Sequence, residues 1–156
     1  MHIRLIAVGD RQPSWVDAAF DDYAVRLPKA WQFSTVVIPV PKRSKSRPAR
    51  AAMRVEGEKI LSAIHPQETL VLLDERGRQL DSPQLGAQLQ RWQSDGKDLG
   101  FVIGGPDGVS ENVRCRAGFC WSLSSMTLPH GLARVLFVEA LYRAWSIGAG
   151  HPYHRE

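Results

Sequence analysis

Short apolar runs alternating with amphipathic helical stretches predict an α/β protein with a parallel-type sheet flanked by helices on both faces. Three observations carry this reading. Apolar runs of strand length recur along the chain, helical periodicity fills the intervals between them, and no repeat or composition shift divides the 156 residues, so 1–156 reads as a single domain.

Ile3 to Val8 is the first such run, and Pro13-Ser14 then introduces Val16, Ala19, Phe20, Tyr23 and Leu27 at helical spacing. Ser14 with Asp17 three residues on resembles a capping box. Phe33 to Val40 is β-branched and ends among prolines, as a second strand does. After a basic segment, Ala49 to Ile64 carries Met53, Ile60, Leu61 and Ile64 on one helical face. Thr69 to Leu73 is a third strand. Ser82 is expected to cap a helix with Pro83 at its first position and Leu85, Leu89 and Trp92 on one side, ending at Asp95-Gly96. Leu99 to Ile103 runs as a fourth strand into Gly104-Gly105-Pro106-Asp107-Gly108. A short helix from Ser110 to Ala117 and a fifth strand around Trp121 to Ser124 follow. Leu132 to Ile147 is a long helix, apolar nearly all round.

Composition excludes several classes. At 44% hydrophobic and 23% charged the chain is neither disordered nor low-complexity. No apolar run approaches the roughly 20 residues of a membrane span. Ile3 to Val8, soon followed by Asp10, is too short for a signal peptide, so a cytosolic protein is expected, with no membrane partner. Cys115 and Cys120 fit no zinc spacing and are read as packing residues.

Charge is unevenly placed. Twenty Lys+Arg stand against 16 Asp+Glu, for a net +4, and Lys42, Arg43, Lys45, Arg47, Arg50 and Arg54 form a stretch without an acid. The other 14 bases face all 16 acids, so the excess belongs to this one segment. It reads either as a surface that attracts a polyanion, because neutralised phosphates release counterions, or as a solvated loop.

In parallel sheets ligands bind at the carboxyl ends of strands, which selects the positions after Leu73, at Gly104-Gly105 and after Ser124. The glycine-rich loop lacks the Lys-Ser/Thr of a P-loop and the G-x-G-x-x-G of a dinucleotide site. Its glycines either admit a close backbone approach to a ligand or make a tight turn. Leu123-Ser124-Ser125-Met126-Thr127-Leu128-Pro129-His130, free of acids, is suited to wrap a flat apolar ring, or is a buried crossover. The closing His151-Pro152-Tyr153-His154-Arg155-Glu156 is aromatic and basic, with His154 as a possible base and Arg155 as a phosphate fork. Gly148 and Gly150 are expected to let this tail move. Two histidines alone make a poor metal site, so no metal is expected. Glu139 and Arg143, four apart, read as a plain ion pair.

Taken together, Gly104-Gly105-Pro106-Asp107-Gly108, Trp121-Ser122-Leu123-Ser124, Thr127-Leu128-Pro129-His130, Glu139 through Ile147 and the closing six residues resemble the ribosomal large-subunit methyltransferase H family of the SPOUT class. The similarity reaches the amino terminus through Ala7-Val8-Gly9 and Pro13-Ser14-Trp15-Val16. This resemblance implies an α/β fold with a C-terminal deep trefoil knot. It implies S-adenosylmethionine held by Leu73, Gly104, Leu123, Ser124, Ser125, Met126, Thr127 and Leu128. The implied activity is methylation at N3 of a pseudouridine in 23S rRNA of the assembled ribosome, by a cytoplasmic homodimer. On that reading His154, Arg155 and Tyr153 serve catalysis and hold RNA, and the basic stretch contacts phosphates. Another RNA such as tRNA, or a non-catalytic ribosome-binding factor, are the alternatives that fold alone leaves open.

Overall fold

The computed structural model describes residues 1–40 and 48–155. Five strands form one fully parallel sheet: β1 (Ile3–Val8), β2 (Ser34–Ile38), β3 (Thr69–Gln79), β4 (Leu99–Ile103) and β5 (Phe119–Ser122), in the order β2-β1-β4-β3-β5. Helices α1 (Ser14–Ala24), α2 (Ala49–Ala63), α3 (Ser82–Ser94), α4 (Glu111–Arg116) and α5 (His130–Gly148) fill the connections. A 3-10 turn at Pro152–Arg155 closes the chain.

Side chains of a strand alternate between faces, and both faces here are covered. Ile3, Leu5, Ala7, Phe101 and Trp121 pack with α3 and α5, while Ile6, Val8, Leu70, Leu72 and Val102 pack with Ile60 of α2 and Val113 of α4. Double-sided burial explains why β4 reads as an unbroken apolar run, and β1 as one interrupted only by Arg4, rather than as alternating ones.

Several expected boundaries shift, each for a local reason. Pro13 is the N-cap of α1, and its carbonyl accepts from Val16 N–H at 2.9 Å. Ser14 therefore lies inside the first turn, and no side-chain cap is made. Asp81, not Ser82, caps α3 in a reciprocal box: its carboxylate accepts from Gln84 N–H at 2.7 Å, and its own N–H donates to the Gln84 amide oxygen at 3.1 Å. Helix α5 begins at His130, directly after Pro129. Strand β5 starts at Phe119, and β3 continues to Gln79, well past its apolar half. Cys115 is exposed rather than packed, its thiol donating to Glu111 at 3.4 Å. Among the described residues no helix is long and apolar enough to cross a membrane.

Candidate active site

The irregular middle of β3, from Leu73 to Arg76, and the carboxyl ends of β4 and β5 open into one cleft of about 980 Å³, near the upper end of the range of small-molecule sites. Leu73, Gly104, Leu123, Ser124, Met126, Thr127 and Leu128 line it, so the three places singled out by the strand-end rule converge. Ser125 is exposed and does not contribute to this wall.

The loop after β5 is held by its own hydroxyls. Ser122 Oγ donates to the Ser124 carbonyl at 2.8 Å, and Ser124 Oγ accepts from Met126 N–H at 2.9 Å. Thr127 Oγ1 donates to Glu75 Oε2 at 3.2 Å, which fastens the loop to β3 across the cleft. Its backbone shape is thereby set before any ligand arrives, the arrangement that lowers the ordering cost of binding.

The glycine-rich loop is built by self-packing. A Cβ on Gly104 would meet Val109 Cγ1 at 2.6 Å, and Gly105 pairs with Gly108 in an isolated bridge, Gly108 having φ +85°. Of the two sequence readings of these glycines, the tight turn accounts for the geometry: the space that Gly104 leaves is taken by Val109, not by the cleft. A Cβ on Gly105 would lie 2.8 Å from Glu56 Oε2. Glu56 is buried on α2, so its carboxylate seats the helix bearing Arg50 and Arg54 against this loop.

Both of those arginines line the cleft, which brings part of the basic stretch to its rim. Lys42, Arg43, Lys45 and Arg47 lie outside the described residues. An acidic wall faces the arginines. Asp74 pairs with Arg114 at 2.7 Å. Burial opposes ionisation of Asp74, but the Arg76 backbone N–H and the Arg114 guanidinium outweigh it and hold the carboxyl below its ordinary range.

Beneath the cleft, Arg134 is 7% exposed. Its guanidinium donates to the carbonyls of Val8, at 3.3 Å, and Gly9, and its Nε donates to His130 Nε2 at 2.9 Å. Burial and the neighbouring Arg134 charge push His130 down to about 4, against the opposing hydrogen bond to the Gly104 backbone. His130 is therefore a neutral acceptor at neutral pH. It ties the ends of β1 and β4 to the start of α5.

The tail lies elsewhere. Tyr153 folds back on Glu139, Tyr142 and Arg143 in the middle of α5, whereas His130 and Ala133 at its amino end line the cleft. None of Tyr153, His154 and Arg155 is among the residues that line the cleft. One copy of the chain thus does not bring its tail to its own cleft. Nor does the tail sit loosely, as its flanking glycines suggested: the Tyr153 hydroxyl donates to Glu139 Oε1 at 2.9 Å, and His151 N–H donates to the Ser146 carbonyl at 2.9 Å.

Among the described residues, two buried side-chain polar atoms lack a hydrogen-bond partner: Trp121 Nε1 and His154 Nδ1. An unsatisfied buried donor costs roughly 1–3 kcal/mol and in native proteins calls for an explanation. Trp121 belongs to the cleft wall and His154 to the tail.

A family model described as "Predicted SPOUT methyltransferase" matches residues 1–154. The chain belongs to the SPOUT methyltransferase family. It is also 44% identical over 156 residues to "Ribosomal RNA large subunit methyltransferase H" of Hahella chejuensis (strain KCTC 2396), with all of both chains covered. SPOUT membership agrees with the observed parallel five-stranded sheet and implies the knotted connection expected from the sequence. As a SPOUT methyltransferase the protein is an enzyme that requires a methyl donor. No cluster of three or more His, Cys, Asp or Glu suited to a metal occurs among its described residues.

Four features of this SPOUT methyltransferase escaped the sequence reading. These are the Asp74-Glu75-Arg76 wall, the His130–Arg134 tie, the Trp121 indole at the cleft and the Glu139–Tyr153 contact. His130 and Arg134 were visible as an i,i+4 pair, the one signal that could have found them. The other three depend on contacts distant in sequence.

Proposed function

We propose that the protein transfers a methyl group from S-adenosylmethionine to N3 of a pseudouridine in 23S rRNA of the assembled ribosome, acting as a cytoplasmic homodimer. The observation that carries this reading is the convergence of Leu73, Gly104 and the Leu123–Leu128 loop on one cleft with Arg50 and Arg54 at its rim. The relative from Hahella chejuensis, named a ribosomal RNA large subunit methyltransferase, supports the choice of RNA.

The chemistry of the cleft suits the cofactor. It combines an apolar wall of Leu73, Leu123 and Leu128 with backbone from a glycine loop and the unpaired Trp121 N–H, which matches a flat heterocycle joined to polar groups. Ser125 is left out of this set because it does not line the cleft. When bound, the cofactor supplies an electrophilic methyl on a sulfonium.

N3 of pseudouridine is an imide nitrogen and must give up its proton before or during attack. We assign that proton to His154, as base or relay, and the phosphate contacts to Arg155, which is exposed. Because no residue of the tail lines the cleft of its own copy, the tail of one copy serves the cleft of the other. Exposed Leu132 and Leu136, one turn apart on α5, and exposed Trp15 supply apolar surface for such a pairing. Arg50, Arg54 and the rest of the basic stretch steer the ribosome by charge and leave base selection to the site.

Incubation of the protein and tritiated S-adenosylmethionine with ribosomes lacking the modification, with and without the pseudouridine, tests the assignment. Label is expected only where the pseudouridine is present. Label on both substrates, or on neither, rejects it, and labelling of tRNA instead would select the alternative RNA.

A further inference from the structure

The tail is fixed by a cluster on α5 that the reaction as proposed does not use. Glu139 and Arg143 pair at 2.7 Å, as i,i+4 neighbours do. A solvated pair of this kind contributes little and needs no third member. Here there is one: the Glu139 carboxylate also accepts from the Tyr153 hydroxyl at 2.9 Å, and the Arg143 guanidinium lies 4.9 Å above the Tyr153 ring. The ring stands 4.7 Å from that of Tyr142, and its hydroxyl is 3.2 Å from that of Tyr23 on α1. Burial first, then the bonds to Tyr23 and Glu139, push the Tyr153 hydroxyl well above its ordinary range, so it remains a donor at every physiological pH.

Pinning Tyr153 determines what its neighbours do. The terminal 3-10 turn spans only Pro152–Arg155, so the direction in which residue 153 points sets the directions of 154 and 155. At the turn's entrance Tyr153 N–H donates to His151 Nδ1 at 3.2 Å, and the His151 ring packs 5.7 Å from that of Trp145. The turn is held at both its entrance and its middle.

We propose that Glu139 and Arg143 are positioning residues that act through Tyr153, aiming His154 and Arg155 at the substrate bound by the second copy. Tyr153 is thereby the anchor of the tail rather than a group that grips RNA. This rests on the reading of the tail as catalytic given above. A misplacement of the reacting groups by about 1 Å costs on the order of 10²-fold in rate, which sets the size of the expected effect.

The test compares Glu139→Ala, Glu139→Gln, Tyr153→Phe and His154→Ala in the full-length protein. It measures kcat and KM on ribosomes lacking the modification, with cofactor affinity by calorimetry and oligomeric state by sedimentation. Glu139→Ala is expected to lower kcat by on the order of 10–10²-fold with cofactor affinity and oligomeric state unchanged. Glu139→Gln keeps an acceptor for the phenol and is expected to recover most of that activity. Tyr153→Phe is expected to resemble Glu139→Ala, and the double variant to be no worse than the poorer single one, since both break the same interaction. Parental kcat in folded Glu139→Ala alongside an inactive His154→Ala overturns the positioning role alone. Parental kcat in His154→Ala overturns the reading of the tail on which it rests. Should Glu139→Ala fail to fold, Tyr153→Phe decides: parental kcat there overturns the proposal.

Discussion

Leu73 and Arg78 stand opposite the same residue of the neighbouring strand, Trp121. Asp74, Glu75, Arg76 and Gly77 between them leave the ladder, which carries three charged side chains off the sheet and places them in the cleft wall. The return to the ladder is tight: a Cβ on Gly77 would stand 2.8 Å from the Trp121 nitrogen and from the Cys120 and Trp121 carbonyl carbons. All of these are backbone atoms, which do not rotate away.

Gly77→Ala is therefore expected to destabilise the protein by about 1–3 kcal/mol, as overpacking of a well-packed site does. Thermal unfolding should show this as a fall of several degrees in Tm. An unchanged Tm would contradict the bulge as described.

At Gly104 the expected outcome depends on Val109. Gly104→Ala should weaken cofactor binding at least tenfold, about 1.4 kcal/mol, because the new methyl displaces Val109 and with it the glycine loop. Adding Val109→Ala should restore much of the affinity. If calorimetry shows no recovery in the double variant, the Cβ is meeting the ligand directly.

His130 gives the stability a pH dependence of defined sign. In the folded protein it resists its proton until about pH 4, while the unfolded chain takes one near 6.5. Between these values the unfolded state binds more protons, so the contribution is fully present above about 6.5 and fades as the pH falls towards 4. His130→Gln keeps an acceptor for Arg134 but does not titrate. Tm measured against pH should fall more steeply for the parent than for this variant across that window; parallel curves would refute the assignment.

Arg50→Glu with Arg54→Glu should weaken ribosome binding and flatten its salt dependence, by about one unit of log–log slope for each phosphate that is no longer neutralised. Cofactor affinity measured without RNA should change far less. A salt slope equal to the parent's would mean that these two arginines only decorate the rim.

What the sequence discloses follows from burial. Strands β1 and β4 are buried on both faces and announce themselves as apolar runs, broken only by Arg4 in β1. Gly104 was legible because strand ends and ligand sites coincide in parallel sheets, and Leu73 because the apolar half of β3 stops there, at the register shift rather than at the end of the strand. The second half of β3, Asp-Glu-Arg-Gly-Arg-Gln, has no strand pattern, since its course is set by Gly77 fitting against β5. Arg134 turns inward to Val8 and Gly9, more than a hundred residues away, and Glu139, midway along α5, meets Tyr153 where the chain folds back. Local spacing carries no trace of either interaction. Ser14 and Ser82 failed as caps because a neighbouring residue, Pro13 or Asp81, already held the cap position.

The absence of the tail from the wall of its own cleft bears on mixtures as well as on single copies. If each cleft is served from the opposite subunit, a chain crippled at its cleft and another crippled at its tail, each silent alone, regain one working centre when they assemble together. Dilution below the point where copies part company would in turn silence even the intact chain.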